Sequence, residues 1–264
     1  MTGTTTSNTS GVATTDRASD EVTAVVTIVP ESANGPLSAE FVARAVARAH
    51  RLAGPNARIV TPALTNEESV GFLAAGFVAT SRLHLLVHHL DDAARPRDVQ
   101  RLHRDAPVAT FTAARLRRGR SSDVAAALVV DGRAFEPPWC LDPAGLDAAR
   151  RATPIARFRV VELDGQVVGF CVTGRSGRRG YLQRLAVDPK WQGGGLGFLL
   201  VNDALGWCRR RRVLRVVVNT QVGNVRALSL YRTLGFCDTA VGLCILERQA
   251  VVAGANGGVA EWGS

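Results

Sequence analysis

The sequence predicts an α/β fold, on three observations. Short β-branched runs alternate with stretches whose apolar residues recur at helical spacing. Asp164-Gly165 joins two apolar runs in the manner of a tight hairpin. A strand-like run over residues 181–187, stopped at Pro189, passes through a glycine-rich turn into the helical pattern of residues 196–208. At 264 residues the chain has room for one large domain or two small ones.

Residues 1–20 are rich in Thr and Ser with almost no large apolar side chain. They cannot offset the entropy of ordering and are expected to form a loose, disordered tail. Residues 23–29 are β-branched and read as a strand ending at Pro30. Ser38 is placed to cap a helix over 39–52, where Phe41, Val42, Val46 and His50 have helical spacing. Residues 57–61 read as another strand, and Thr65-Asn66-Glu67-Glu68 fits a capping box opening a helix to Ala75. Residues 78–90 alternate as a strand does, and 91–98 form a charged linker containing Pro96. In the second half a strand over 108–117 precedes a helix over 123–135, and Asp142-Pro143 caps the next helix with proline in its first turn. Strands over 156–162 and 166–173 flank the hairpin turn. A buried-looking strand over 213–220 and a last strand over 236–246 follow, and residues 250–264 are a Gly/Ala-rich flexible tail.

The glycine-rich turn is where chemistry enters. The first N–H groups of a helix have no acceptor within it, and the helix dipole adds positive charge where they point. Gly193, Gly194, Gly195 and Gly197 carry no Cβ, so a phosphate can lie directly against the main chain. No Lys-Ser/Thr follows the last glycine, as a P-loop needs, and no acidic residue follows as a dinucleotide site requires. Gln192-Gly193-Gly194-Gly195-Leu196-Gly197 fits Gln-x-x-Gly-x-Gly instead. The segment from Asn224 through Ala227, Leu230 and Tyr231 to Gly235-Phe236 fits Asn-x-x-Ala-x-x-Leu-Tyr-x-x-x-Gly-Phe. With both motifs in this order, the chain resembles the GCN5-related N-acetyltransferases (GNAT) over about residues 108–248. The resemblance implies a mixed, mostly antiparallel sheet flanked by helices, with a catalytic domain over 106–249.

A gapless shift of 159 residues carries part of the first half onto the second. It takes Pro30 onto Pro189, Gly35 onto Gly194, Thr65 onto Asn224, Phe72 onto Tyr231 and Gly76-Phe77 onto Gly235-Phe236. A tandem arrangement follows, with a degenerate, truncated copy over 21–105. In that copy Pro36 replaces Gly195 and removes a donor, Ser38 replaces Gly197, Glu31 brings negative charge, and Phe72 lacks the tyrosine hydroxyl. The first half is therefore expected to be non-catalytic, packing as a structural or substrate-shaping domain.

Composition bounds the partners. The net charge of +9 comes almost wholly from arginine, since Lys190 is the only lysine. No recognised binding motif accompanies the charge, and Arg209 to Arg212 close a helix whose C-terminal carbonyls favour cations, so nucleic acid is not the expected partner. No apolar run is long enough for a bilayer and no signal-peptide pattern opens the chain, so a cytoplasmic protein without a membrane partner is expected. Cys140, Cys171, Cys208, Cys237 and Cys244 are odd in number and widely spaced, and read as reduced thiols. His84 and His88 have helical ligand spacing but fall on a strand, so no metal is expected.

What the resemblance implies about the site is specific. Acetyl-CoA is the co-substrate, its pyrophosphate held by Gln192, Gly193, Gly194, Gly195, Leu196 and Gly197. The main chain of Leu185, Ala186 and Val187 pairs with the pantetheine arm, and an N–H there polarises the thioester carbonyl. Asn224 contacts the same arm; as a residue it also reads as an N-cap, and both roles can hold. Tyr231 is the candidate general acid, a phenol of pKa about 10 that stays protonated at neutral pH, or else an aromatic packed on the sheet. Glu136 and Trp139, in the segment that walls the acceptor site, and Gln183, on the central strand, are the substrate-binding candidates. Residues 135–139 also read as a proline-stiffened loop. The base stays open between Glu136, Glu162 and a water chain. An α-amine of pKa about 8 is roughly a tenth neutral at pH 7, whereas a lysine amine is neutral in about one part in 2,500. A site without a strong base thus favours a low-pKa amine. The expected activity is direct acetyl transfer to a primary amine of a small molecule or peptide. A protein N-terminal alanine acetyltransferase is the alternative within the class, and a non-catalytic acetyl-CoA sensor the alternative outside it.

Overall fold

The computed structural model describes residues 8–13, 24–29, 37–90, 113–137 and 139–248. The first elements are β1 (Asn8–Ala13), β2 (Ala24–Val29), α1 (Ala39–Ala53), β3 (Arg58–Val60), β4 (Leu64–Thr65), α2 (Asn66–Ala74) and β5 (Val78–His89). Then come β6 (Arg115–Arg118), α3 (Val124–Ala134), α4 (Pro143–Arg151), β7 (Ile155–Leu163), β8 (Gln166–Ser176) and β9 (Arg179–Val187). The chain continues with α5 (Leu196–Arg209), β10 (Arg215–Gln221), α6 (Val225–Thr233), β11 (Cys237–Asp238) and β12 (Leu243–Arg248). The expected loop substitutions at Glu31 and Pro36, the linker over 91–98 and the tail over 250–264 lie outside the described residues.

Two compact units divide at Leu83/His84 and again at Ala240/Val241. In the first, strands run in the order β1-β2-β3-β12-β5, with β4 beside β12. The β2–β3 pair is parallel, while β12 runs antiparallel to β3, β4 and β5. Ser38 caps α1 by accepting from Phe41 N–H, and Thr65 and Glu68 close a capping box on α2. Val42, Val46, Ile59, Phe72, Phe77 and Leu246 form this unit's core.

The second unit carries β5-β10-β9-β8-β7-β6, with β11 pairing Leu86 and Val87 of β5. Here β9–β10 is parallel, and β6–β7, β7–β8 and β8–β9 are antiparallel. Asp164 and Gly165 both adopt positive φ, 49° and 77°, which is the backbone of a tight hairpin turn. One face of the sheet buries Leu200, Val201, Ala204 and Leu205 of α5 with Leu228 and Tyr231 of α6. The other packs Ala127 and Val130 of α3 and Leu146 of α4 against Phe158, Val160, Phe170 and Val172.

Three expectations need correction. Residues 8–13, expected within a loose tail, form β1 in antiparallel register with β2. Ladder hydrogen bonds satisfy backbone groups without any apolar side chain, so composition alone did not register them. The last strand, expected to run unbroken over 236–246, is instead two pieces, β11 and β12. The polar step after Cys237 and Gly242 weaken a strand interior and interrupt the run. The strand expected over 108–117 is described only at its end, where β6 runs to Arg118.

The shift seen in the sequence reappears in the elements. Adding 159 carries Asn66–Ala74 of α2 onto Val225–Thr233 of α6 and places β2, α1 and β3 upon β9, α5 and β10. The last strands cross over: β12 pairs in the first unit, and the later half of β5 pairs in the second.

Candidate active site

Strands β9 and β10 are in register only from Arg179 to Tyr181 and from Arg215 to Val217. Beyond that point β9 keeps β8 on one edge while its other edge opens into a cleft of about 760 Å3. Leu185, Ala186 and Val187 line one wall, and Ala227, Ser229 and Leu230 of α6 line the other. The glycine turn forms one end, with Gln192, Gly193, Gly195, Leu196 and Gly197 all at the surface of the cleft. Gly193 and Gly195 have φ of 84° and 86°, a backbone that side chains rarely adopt. Gly195 is the N-cap of α5, and the first bond within the helix runs from Leu199 N–H to Gly195 C=O. The N–H groups of residues 196–198 therefore precede the helical ladder, at the positive end of its dipole.

Asn224 lines the cleft and caps α6, its Oδ1 accepting from Ala227 N–H at 3.1 Å. Gln192 joins the turn to the strand: its Nε2 donates to Val187 C=O at 2.9 Å, and its Oε1 accepts from Arg226 Nη1 at 2.8 Å. Arg226 also lines the cleft and was missed by sequence reasoning. The signal was present, because a cation in the first turn of a helix opposes its dipole and needs another reason to be there.

Tyr231 is not among the cleft residues. It is 5% exposed in the core beneath α6, its ring 5.5 Å from that of Phe236, and burial pushes its hydroxyl well above the ordinary phenol range.

A β-bulge shapes the opposite wall. Val172 pairs with Arg184 but Thr173 pairs with Leu182, so Gln183 is the extra residue on β9. Leu182 and Leu185 pack on the α5 side, whereas Gln183 and Arg184 both reach toward the side of α3 and α4. Gln183 Nε2 lies 3.4 Å from Thr153 Oγ1, and its buried Oε1 has no hydrogen-bond partner among the described residues. A Cβ at Gly174 would collide with Thr153 Oγ1 and the Gln183 amide, so glycine there makes room for both.

Arg184 donates to both oxygens of Asp131 at 2.6 Å and to Trp139 C=O at 2.8 Å, with its guanidinium 3.6 Å from the centre of the Phe135 ring. Asp131, fully buried, also accepts from Leu141 N–H at 2.7 Å. This pair, which sequence reasoning missed, ties both ends of the loop between α3 and α4, including Phe135, which lines the cleft. Trp139 and exposed Glu136 sit in that loop but do not line the cleft, nor does Gln183. Glu162, the other candidate base, is held 2.7 Å from Arg117. No carboxylate lines the cleft among the described residues.

The opened strand pair thus sets a free strand edge beside a helix mouth whose first N–H groups precede the helical ladder, the kind of place where an anion binds. Comparison with known proteins identifies the group. Residues 127–236 match the acetyltransferase (GNAT) family. The mycothiol acetyltransferase of Amycolatopsis mediterranei (strain U-32) is 31% identical over 213 residues, covering 71% of this chain and 69% of that one. A putative [ribosomal protein bS18]-alanine N-acetyltransferase of Bacillus subtilis (strain 168) is 26% identical over 124 residues, covering 47% of this chain and 81% of that one. A solved tandem GNAT protein from the clavulanic acid biosynthesis pathway shares the fold, with a TM-score of 0.60 at 14% identity, over 86% of this chain and 75% of that one. The chain belongs to the GNAT family of acetyltransferases, enzymes that use acetyl-CoA and an amine acceptor. Among the described residues no helix is long and apolar enough to cross a membrane.

Proposed function

We propose that this chain transfers an acetyl group from acetyl-CoA directly to a primary amine, in the cleft between β9 and α6. The observation that carries the reading is the helix mouth at Gly195 opening onto the unpaired edge of β9. In it, the N–H groups of residues 193–198, with Arg226, hold a diphosphate, and Gln192 fixes the turn against Val187. The edge at Leu185, Ala186 and Val187 holds the pantetheine arm as an added strand and polarises the carbonyl. Asn224 meets the arm while capping α6. The thioester supplies an activated acyl carbon: the amine nitrogen bonds to it, the C–S bond breaks, and the amine proton leaves to water. Tyr231, which lies outside the cleft lining, is the proposed proton donor to the departing sulfur, and its phenolate takes back a proton from the water that received the amine's.

The amine approaches from the side of α3 and α4, where the loop held by Arg184 and Asp131 stands and where Gln183 faces. With no carboxylate lining the cleft among the described residues, the reaction draws on the amine's own neutral fraction, which favours a peptide α-amine over a lysine side chain by about two hundredfold. That supports N-terminal acetylation as the particular form of the activity. The sequence-derived division, with catalysis over 106–249 and a non-catalytic copy over 21–105, belongs to the same proposal.

Calorimetry with acetyl-CoA, followed by steady-state thiol release with small amines and Ala-led peptides, tests the reading. Binding with turnover supports it. Binding without turnover on any amine identifies a sensor, and no binding ends the account of the helix mouth.

A further inference from the structure

We infer that the acceptor is a peptide whose N-terminal amine is followed, several residues on, by acidic side chains, read by an arginine-lined cleft that the donor site does not use. The inference rests on the acceptor approaching from the side of α3 and α4. A second cleft of about 600 Å3 opens at the start of β9 and β10, lined by Arg178, Arg179, Arg215, Tyr181, His89 and Ser176. None of the three arginines has a carboxylate partner among the described residues, unlike Arg117, Arg157, Arg159 and Arg184, each of which is paired. Three guanidinium groups with no carboxylate partner among the described residues, around one concave surface, raise the local potential and attract an anion.

The pleat of β9 joins this cleft to the acceptor side. Arg179 and Tyr181 line the cleft, and the Gly180 between them faces α5, where an added Cβ would meet Cys208, Val213 and Val216. Arg179 and Tyr181 therefore lie on the sheet face opposite α5, and Gln183, two residues further, lies on that same face. Strand geometry sets the span. Leu185, at the donor edge, is six residues from Arg179, about 20 Å at roughly 3.3 Å per residue, less the reach of an arginine side chain. An extended peptide covers at most about 3.6 Å per residue, so its acidic groups fall at about positions four to six. A small amine carrying a phosphate is too short to bridge the two clefts. Carboxylates paired bidentately with arginine supply the affinity.

Ala-led hexapeptides carrying Glu, Gln or Arg at positions four to six test this, with an aminoalkyl phosphate as the small-molecule arm. The Glu peptide is expected to show kcat/KM about tenfold above the Gln peptide, with the Arg peptide lower still. The gap should shrink in 0.5 M salt as exposed charges are screened. In the R178Q/R179Q/R215Q variant the Glu and Gln peptides should converge while acetyl-CoA affinity by calorimetry is unchanged. R179Q alone should halve the preference or more, which keeps the test intact if the triple variant does not fold. Equal use of Glu and Gln peptides, a preference that survives the substitutions, or better use of the aminoalkyl phosphate would overturn the inference. A chain that binds acetyl-CoA yet acetylates no peptide overturns it while leaving the donor site standing. Failure to bind acetyl-CoA brings down both.

Discussion

Burial raises the hydroxyl pKa of Tyr231 above that of a free phenol, so the group stays protonated wherever the fold persists. The raised pKa makes it a weaker donor toward a thiolate whose conjugate acid lies near about 8.5, so the proposed transfer is completed by reprotonation of the phenolate from water. Tyr231→Phe should lower kcat by about a hundredfold or more while leaving acetyl-CoA affinity nearly unchanged. Equal turnover in steady-state thiol release would remove Tyr231 from the acid role. The pH profile of kcat should rise as the acceptor amine deprotonates, with no falling limb from this group below pH 10. Arg117 holds the carboxyl of Asp123 down at about 2 by two hydrogen bonds, with burial opposing and Arg120 N–H assisting. A depressed carboxylate stabilises above its unfolded pKa and loses that contribution as pH falls from about 4 toward 2. The contribution is about 2 kcal/mol, so Asp123→Asn should unfold at a higher pH in an acid titration followed by circular dichroism. At this scale the sequence was legible where one residue acts with its neighbours, as Asn224 and Thr65 do when they cap helices. It was silent on Arg184 and Asp131, which lie 53 positions apart and meet only because a bulge turns Arg184 toward α3.

At the scale of elements, the strand, glycine turn and α5 were legible because each boundary has a local cause: Pro189 ends the strand, and the positive φ of Gly195 opens the helix. The splay of β9 from β10 was not, since no residue in either strand announces where a ladder stops. Gly195→Pro tests the element as a unit. Proline is fixed near φ −65° and lacks the N–H, so it can neither adopt the 86° seen at Gly195 nor donate to an anion. Acetyl-CoA binding should be abolished in calorimetry while the far-ultraviolet spectrum keeps its helix content. Gly195→Ala is the graded control. A left-handed alanine costs about 1–2 kcal/mol, so that variant should bind about five- to thirtyfold more weakly. If the proline variant binds as well as the parent, the helix mouth does not hold the diphosphate.

Across the whole molecule, the matching order of elements at a constant shift was readable because helices and turns are local, whereas the partners of the last strands were not, because alternation specifies a face and not a neighbour. The chain's final described strand therefore belongs to the core of its first unit. Leu246 of β12 is fully buried among Val42, Ile59 and Phe72, Glu247 accepts from Arg58 at 2.7 and 2.9 Å, and Arg248 donates to Ala75 C=O. By sequence position β12 would be read as an edge of the second unit, and its loss as a frayed end of that unit. By pairing, it lies between β3 and β5, and its loss opens the core formed by α1 and α2. Leu246→Ala leaves a cavity there and should destabilise that unit by about 2–5 kcal/mol. In hydrogen exchange the amides of α1, β3 and α2 should lose protection, while those of α5 and β8 keep theirs. The reverse pattern, with α5 and β8 exposed first, would show that β12 supports the second unit and that the crossover does not hold in solution.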